Sequence, residues 1–374
     1  MNTVPALAHI PPGIVSLADH EAHARTVLDA KAWAYFSGGA GDETTLRANR
    51  SSWDALSLHP RVLQPLAGGH CRTTLLGRPL DLPILVAPVA YQRIAHPDGE
   101  LATAYAAAAQ NTGFVLSTQA SVAMETIANA VLNEPGRGPL WFQLYIQHDR
   151  GFTYELVKRA ELAGYEALVV TVDAPSSGVR DRERRAGFKV PPGISAVNLA
   201  GMPPPPIART GTDSAFDGAV ALAPTWEDLA QLQARTRLPI LLKGILHEDD
   251  ARQAAAMGFA GVIVSNHGGR TLDTAPATSV VLPRIVDAVA GSSGQTAVLV
   301  DGGIRRGTDV LKAIALGAQA VLVGRPCVFG LANAGAVGVA HVLRLLRDEL
   351  EIAMVQCGCA TLAQVTPRLL FKNN

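Results

Sequence analysis

Short runs of consecutive apolar residues alternate along this chain with longer stretches whose apolar positions recur at helical spacing. Three units repeat the same local pattern: Ala160-Glu-Leu-Ala-Gly164 before Tyr165–Val170, Ala254-Ala-Ala-Met-Gly258 before Phe259–Val264, and Ala313-Ile-Ala-Leu-Gly317 before Ala318–Val323. Each reads as a helix end, a glycine free to take positive φ just past it, and a buried strand. In the third unit Thr308 is expected to cap the helix that begins at Asp309. Nearly all-apolar strands separated by helices imply a parallel sheet covered on both faces. Eight strands are placed this way, near Leu82–Ala87, Phe114–Thr118, Leu140–Leu144, Ala167–Val172, Pro239–Lys243, Gly261–Ser265, Ala297–Asp301 and Ala320–Gly324. The pattern predicts an α/β fold, a (β/α)8 barrel of the TIM type. A doubly wound sheet is the alternative, but no strand is followed by a G-x-G-x-x-G turn.

Two regions fall outside the repeat. Residues 1–75 are expected to form a mostly helical segment packed on a barrel that spans 76–374. After the fourth strand, an insert at about 186–228 carries Val190-Pro-Pro-Gly193 and Pro203-Pro-Pro-Pro206. It is far longer than a crossover needs, and it leaves from the strand end where barrel active sites sit, so it is expected to act as a lid or partner-contact loop.

Composition narrows the class. The 374 residues carry Lys+Arg 32 and Asp+Glu 32, so there is no cationic surplus to displace counterions from nucleic acid. With 17% charged residues, 48% hydrophobic residues and 35 glycines, the composition suits tightly packed helices on a buried sheet. No run of about 18 apolar residues suggests a bilayer span, and Met1–Ile10 lacks the pattern of a secretory signal. Cys71, Cys327, Cys357 and Cys359 show no CxxC or zinc spacing; reduced thiols, no bound metal and a cytoplasmic location are expected.

Polar residues collect at the C-terminal ends of all eight strands, where the active site of a barrel forms. They include Pro88-Val89-Ala90, Ser117, Gln143 and Tyr145, Thr171 and Asp173, Lys243, Ser265 with His267 and Arg270, Asp301-Gly302-Gly303-Ile304-Arg305, and Gly324-Arg325. Loops after strands seven and eight often bind phosphate, and the glycine and arginine content of both fits a phosphorylated ligand. His267 can remove a proton near neutral pH, and Asp173 can stabilise the resulting imidazolium. Arg270 can fork onto a carboxylate. Lys243 could form a Schiff base, pair with an anion, or stabilise negative charge on a cofactor.

From Ser265-Asn-His-Gly-Gly-Arg270 outward, the chain resembles the FMN-dependent α-hydroxy acid oxidase and dehydrogenase family, which includes glycolate oxidase, lactate oxidase and mandelate dehydrogenase. Further matches are Tyr35-Phe-Ser-Gly-Gly-Ala-Gly-Asp42, Ala87-Pro-Val-Ala-Tyr-Gln92, Trp141-Phe-Gln-Leu-Tyr145, Thr171-Val-Asp-Ala-Pro175, Leu242-Lys-Gly244 and Asp301-Gly-Gly-Ile-Arg-Arg-Gly-Thr308. The resemblance implies FMN as cofactor. Pro88, Val89 and Ala90 would lie against the flavin, Ser117, Gln143 and Thr171 would hydrogen-bond its ring edge, and Ser265 would contact it nearby. Lys243 would sit beside N1, while Asp301, Gly302, Gly303, Ile304, Arg305, Gly324 and Arg325 would hold the ribityl phosphate. Tyr35, Arg180 and Arg270 would bind the substrate carboxylate and Tyr145 its hydroxyl. His267 would be the base, with Asp173 as its partner.

The implied reaction is oxidation of a lactate-like (S)-2-hydroxy acid to the 2-keto acid, with O2 as acceptor and H2O2 as product, in a homotetramer. The alternatives are a dehydrogenase using a quinone or another acceptor, a mandelate-type enzyme, and more distantly a non-redox FMN barrel or a scaffold. The chain departs from the family pattern at Gln119, Ser177, Thr271 and in Arg185-Ala-Gly-Phe188, residues of the pocket wall and the base of the lid.

Overall fold

Eight strands close into a parallel barrel: β1 (Ile84–Val86), β2 (Gly113–Ser117), β3 (Leu140–Leu144), β4 (Ala167–Thr171), β5 (Ile240–Ile245), β6 (Gly261–Val264), β7 (Ala297–Val300) and β8 (Ala320–Val323). Around the barrel the order is β7-β8-β1-β2-β3-β4-β5-β6, with β6 returning to pair with β7. This computed structural model describes residues 9–204, 216, 220, 222–291 and 296–371. The expected (β/α)8 fold is observed, with strand ends displaced by one or two residues.

The strand period of two explains how the barrel makes both a core and a site. Outward side chains such as Ile84, Phe114, Phe142 and Leu168 join the cluster shared with the helices. Inward residues Leu85, Val115, Trp141, Val169, Leu241, Ile263, Leu299 and Leu322 form a separate apolar cluster inside the barrel. Two residues further along each strand, the same face presents Ala87, Ser117, Gln143, Thr171, Lys243, Ser265, Asp301 and Gly324. One layer of the interior is therefore a sealed hydrophobic plug, and the next is predominantly polar and faces the C-terminal mouth. A hairpin of Thr73–Leu75 and Arg78–Leu80 adds Leu75 and Leu80 to the apolar layer.

The N-terminal segment has three helices, α1 (Leu17–Val27), α2 (Ala30–Ser37) and α3 (Thr44–Ala55), but residues 56–75 are not helical. There Ser57–Leu58 pairs antiparallel with Leu370–Phe371. Thr308 is not a cap. The helix spans Gly307–Ala315, because the Asp309 carboxylate accepts the amides of Arg305 and Arg306, and Glu349 accepts that of Gly307. Helix Arg325–Gln356 is long and apolar enough to cross a membrane, yet 78% of its apolar window is buried within the fold. Its backbone breaks at Ala334 and Gly335. Of the expected lid, Pro205, Pro206 and most of the residues up to 221 lie outside the described residues.

Candidate active site

The polar layer opens into a cleft lined by residues from the barrel strands, the strand-end loops and α2. Tyr35, Pro88, Val89, Ala90, Ser117, Gln143, Tyr145, Thr171, Arg180, Lys243, His267 and Arg270 all face it, as do Asp301, Gly302, Gly303, Ile304, Arg305, Gly324 and Arg325. Two candidates from the sequence do not line it. Asp173 stands behind His267. Ser265 is fully buried, and its hydroxyl accepts from Lys243 Nζ and from the His267 amide, both at 3.0 Å. This hydroxyl positions two other site residues.

His267 sits in a left-handed turn at φ 56°, followed by Gly268 and Gly269 at φ 63° and 75°. Only the histidine has a Cβ to strain that conformation, at a cost of about 1–3 kcal/mol. The turn holds Nδ1 3.0 Å from Asp173 Oδ1 and Nε2 3.5 Å from the Tyr145 hydroxyl. Burial lowers the His267 pKa, and Asp173 only partly opposes it. Burial acts to raise Asp173, but the hydrogen bond and charge of His267, followed by the charge of Lys243, outweigh it and leave the carboxyl below its ordinary value. Both shifts favour a neutral imidazole facing a carboxylate.

Lys243 lies 3.1 Å from Asp301 inside the barrel. Burial works against its ammonium, yet Asp301 and Asp173 hold its pKa above the usual lysine value. A charged lysine paired with carboxylates does not suit Schiff-base chemistry. Gln143 accepts from the Ser117 hydroxyl and donates to Thr171, giving a fixed polar rail on the opposite wall.

At the carboxylate end, Arg270 donates to the carbonyls of Tyr35 and Gly38 and to Glu183. Its guanidinium also lies 5.1 Å from the Tyr35 ring centroid. Arg180 has a buried Nε without a partner. Glu183, bonded to both arginines, escaped the sequence reading because nothing in Asp181-Arg-Glu-Arg-Arg185 separates it from a solvated charge run. Phe36, Gly268, Leu322 and Val328 also line the cleft without having been singled out.

The residues fit FMN. Asp301 Oδ1 is buried without a partner, as an acceptor awaiting a ribityl hydroxyl would be. Gly303 has φ 79° and a Cβ there would stand 2.2 Å from the Asn49 carbonyl oxygen, so the loop needs glycine. Burial, then repulsion from Arg270 and Arg305, pushes Arg325 down to about 9, and burial also lowers Arg305. A phosphate beside these two cations would offset both effects.

Comparison with known proteins agrees with this chemistry. The model of the family described as FMN-dependent dehydrogenase matches residues 24–372. An L-lactate oxidase of Roseobacter sp. (strain GAI101) is 51% identical over 363 residues, covering 96% of each chain. The human 2-hydroxyacid oxidase 1 is 43% identical, covering 97% of this chain and 98% of its own. A crystal structure of mandelate oxidase with benzoyl-formic acid superposes with a TM-score of 0.85 at 43% identity, covering 96% and 98%. The chain belongs to the FMN-dependent dehydrogenase family.

Proposed function

We propose that this protein oxidises a lactate-like (S)-2-hydroxy acid to the 2-keto acid, using FMN and delivering the electrons to O2 to give H2O2. The observation that carries it is His267, held by Asp173 at 3.0 Å with Nε2 toward the Tyr145 hydroxyl, in a cleft that also presents Arg180, Arg270 and Lys243. The lactate, glycolate and 2-hydroxyacid oxidases among its relatives support the acceptor and the substrate class.

FMN supplies the two-electron acceptor for C2 of the acid and the donor for oxygen. The protein does the rest. Arg180, Arg270 and Tyr35 bind the carboxylate, offsetting its lost hydration. Tyr145 hydrogen-bonds the 2-hydroxyl, and His267 takes a proton at Nε2 while Asp173 stabilises the imidazolium. Lys243 would hold a positive charge beside the flavin, the charge that favours its reduction. Ser117, Gln143 and Thr171, with the backbone of Pro88–Ala90, orient the flavin. Asp301, Arg305, Arg325 and the glycines 302, 303 and 324, with Ile304 between them, hold its ribityl phosphate.

An aryl acid is the second reading, favoured by the likeness to mandelate oxidase structures and by Gln119 in the cleft wall. Anaerobic mixing with lactate, glycolate, mandelate and longer acids tests both, by loss of flavin absorbance near about 450 nm. Bleaching by lactate with rapid return of colour in air supports the oxidase. Bleaching without return favours another acceptor, and no bleaching by any acid defeats the proposal.

We also propose a cytoplasmic homotetramer. Four buried, unpaired cysteines suit a reducing compartment. Exposed Leu63, Val62, Ile352, Val355 and Phe371 supply apolar surface for subunit contacts, which light scattering would test.

A further inference from the structure

Two arginines and a glutamate meet at the cleft, and only the arginines line it. Arg180 and Arg270 line the cavity, while Glu183 stands behind them on the short helix Asp181–Arg185. Its Oε1 lies 3.0 Å from one terminal nitrogen of Arg270 and 3.5 Å from one of Arg180. The glutamate side chain is only 15% exposed, so little water screens it. The other terminal nitrogen of Arg270 is taken by the Tyr35 and Gly38 carbonyls, and Arg180 Nε is buried and unpartnered. Lys243 is paired with Asp301 and Asp173 is held against His267, so Glu183 is the carboxylate in direct contact with both arginines.

We infer that Glu183 sets the charge of the carboxylate clamp and thereby selects monocarboxylates over dicarboxylates. Building on the proposed function, this assigns a specificity-determining role to a residue that acts through the two arginines. Two guanidinium charges less one carboxylate leave a clamp of net charge +1, which one substrate carboxylate neutralises. A second carboxylate in the same cleft would find the clamp already neutralised and would be repelled by the charge of Glu183 behind the arginines. Without the glutamate charge, the clamp would rise to +2 and favour dianions.

The test uses the FMN-loaded enzyme, wild type, Glu183→Gln and Glu183→Asp. Propionate and malonate are titrated at about pH 8, where malonate is a dianion, and binding is read from perturbation of the flavin spectrum. The energy of a ligand in the field of a fixed charge scales with the ligand's own charge. Glu183→Gln should therefore tighten propionate about fivefold and malonate about 25-fold, a gain that is squared for the dianion. Glu183→Asp, which keeps the charge, should retain the wild-type malonate-to-propionate ratio even if both bind more weakly. Equal changes for the two anions in Glu183→Gln, or weakened binding of both, would overturn the inference and leave a purely structural glutamate. A wild-type enzyme that binds neither anion and is bleached by no 2-hydroxy acid would overturn the proposed function, and this inference with it.

Discussion

His267 Nδ1 lies 3.0 Å from Asp173 Oδ1, and this contact decides which ring nitrogen is free to act as a base. An ionised carboxylate only accepts, so Nδ1 carries the proton and Nε2 keeps its lone pair toward the cleft. Asp173→Asn replaces the acceptor with a group that can donate, allowing the wrong tautomer. Flavin reduction by substrate should slow by about 10²–10⁴-fold with FMN still bound. Neutral His267 is the active form, so the rate falls as pH drops through its depressed pKa. Asp173 raises that pKa, so in the Asn variant the acid limb should move to still lower pH. Rapid-mixing reduction across pH checks both, and an unchanged rate would remove Asp173 from the mechanism.

Behind the pair, Gly244 forms the irregularity of β5 at φ 113°, and a Cβ there would stand 2.5 Å from Asp173 Cβ. Gly244→Ala should push Asp173 away from His267 and lower kcat at least tenfold, an estimate from the value of positioned acid–base groups. FMN content by absorbance should stay near one per chain, because no cofactor residue is displaced.

Lys243 and Asp301 are 5% and 10% exposed and pair at 3.1 Å. Lys243→Met leaves Asp301 buried without its cation, a loss of about 3–5 kcal/mol for a broken buried pair. Lower thermal stability should accompany weaker FMN retention on dialysis. Lys243→Met with Asp301→Asn should recover stability but not flavin reduction, separating the two roles.

The barrel was legible because each strand is a short apolar run and three of the crossovers end in a glycine at positive φ, Gly164, Gly258 and Gly317. The site residues were legible for a related reason: in a closed barrel, strand ends converge on one mouth, so Lys243 and Asp301 meet although 58 residues separate them. Sequence position could not show depth. Asp173 and Ser265 follow the ends of β4 and β6, on either side of β5, yet neither lines the cleft as Thr171 does. Glu183 was hidden in a charge run, and the start of helix Gly307–Ala315 was misplaced because its cap comes from Asp309 inside the first turn and from Glu349, far along the chain.

The N-terminal helix provides a pH-dependent contact. His20 Nε2 is 2.9 Å from His341 Nδ1, and its other ring nitrogen meets Asn333 at 3.0 Å. Burial, followed by His341 and His23, lowers the His20 pKa to about 4. The unfolded chain then binds the extra proton first, so this contact is fully stabilising above about pH 6.5 and is lost as pH falls toward 4, by roughly 3 kcal/mol. Urea midpoints at about pH 7 and 4.5 should show that loss in the wild type and a smaller one in His20→Gln. Equal losses would exclude His20 as the source.

Phe188 stacks on Tyr35 with ring centroids 4.5 Å apart and planes 11° apart. Arg182 reaches Glu43 and the Ser37 hydroxyl, and the Gly41 amide donates to the Val179 carbonyl, so the base of the insert is fastened despite its unusual Arg185-Ala-Gly-Phe188 sequence. The Tyr35 ring also lies 5.1 Å from the Arg270 guanidinium, which links the insert to the carboxylate clamp. An aromatic pair contributes about 0.5–1.5 kcal/mol beyond its buried area. Phe188→Ala should therefore raise KM about two- to tenfold, with a smaller change in the rate of flavin reduction at saturation, because His267 and Asp173 are untouched. Phe188→Tyr should restore KM. A fall in the saturated rate with KM unchanged would place Phe188 in the chemistry instead of in the seating of Tyr35.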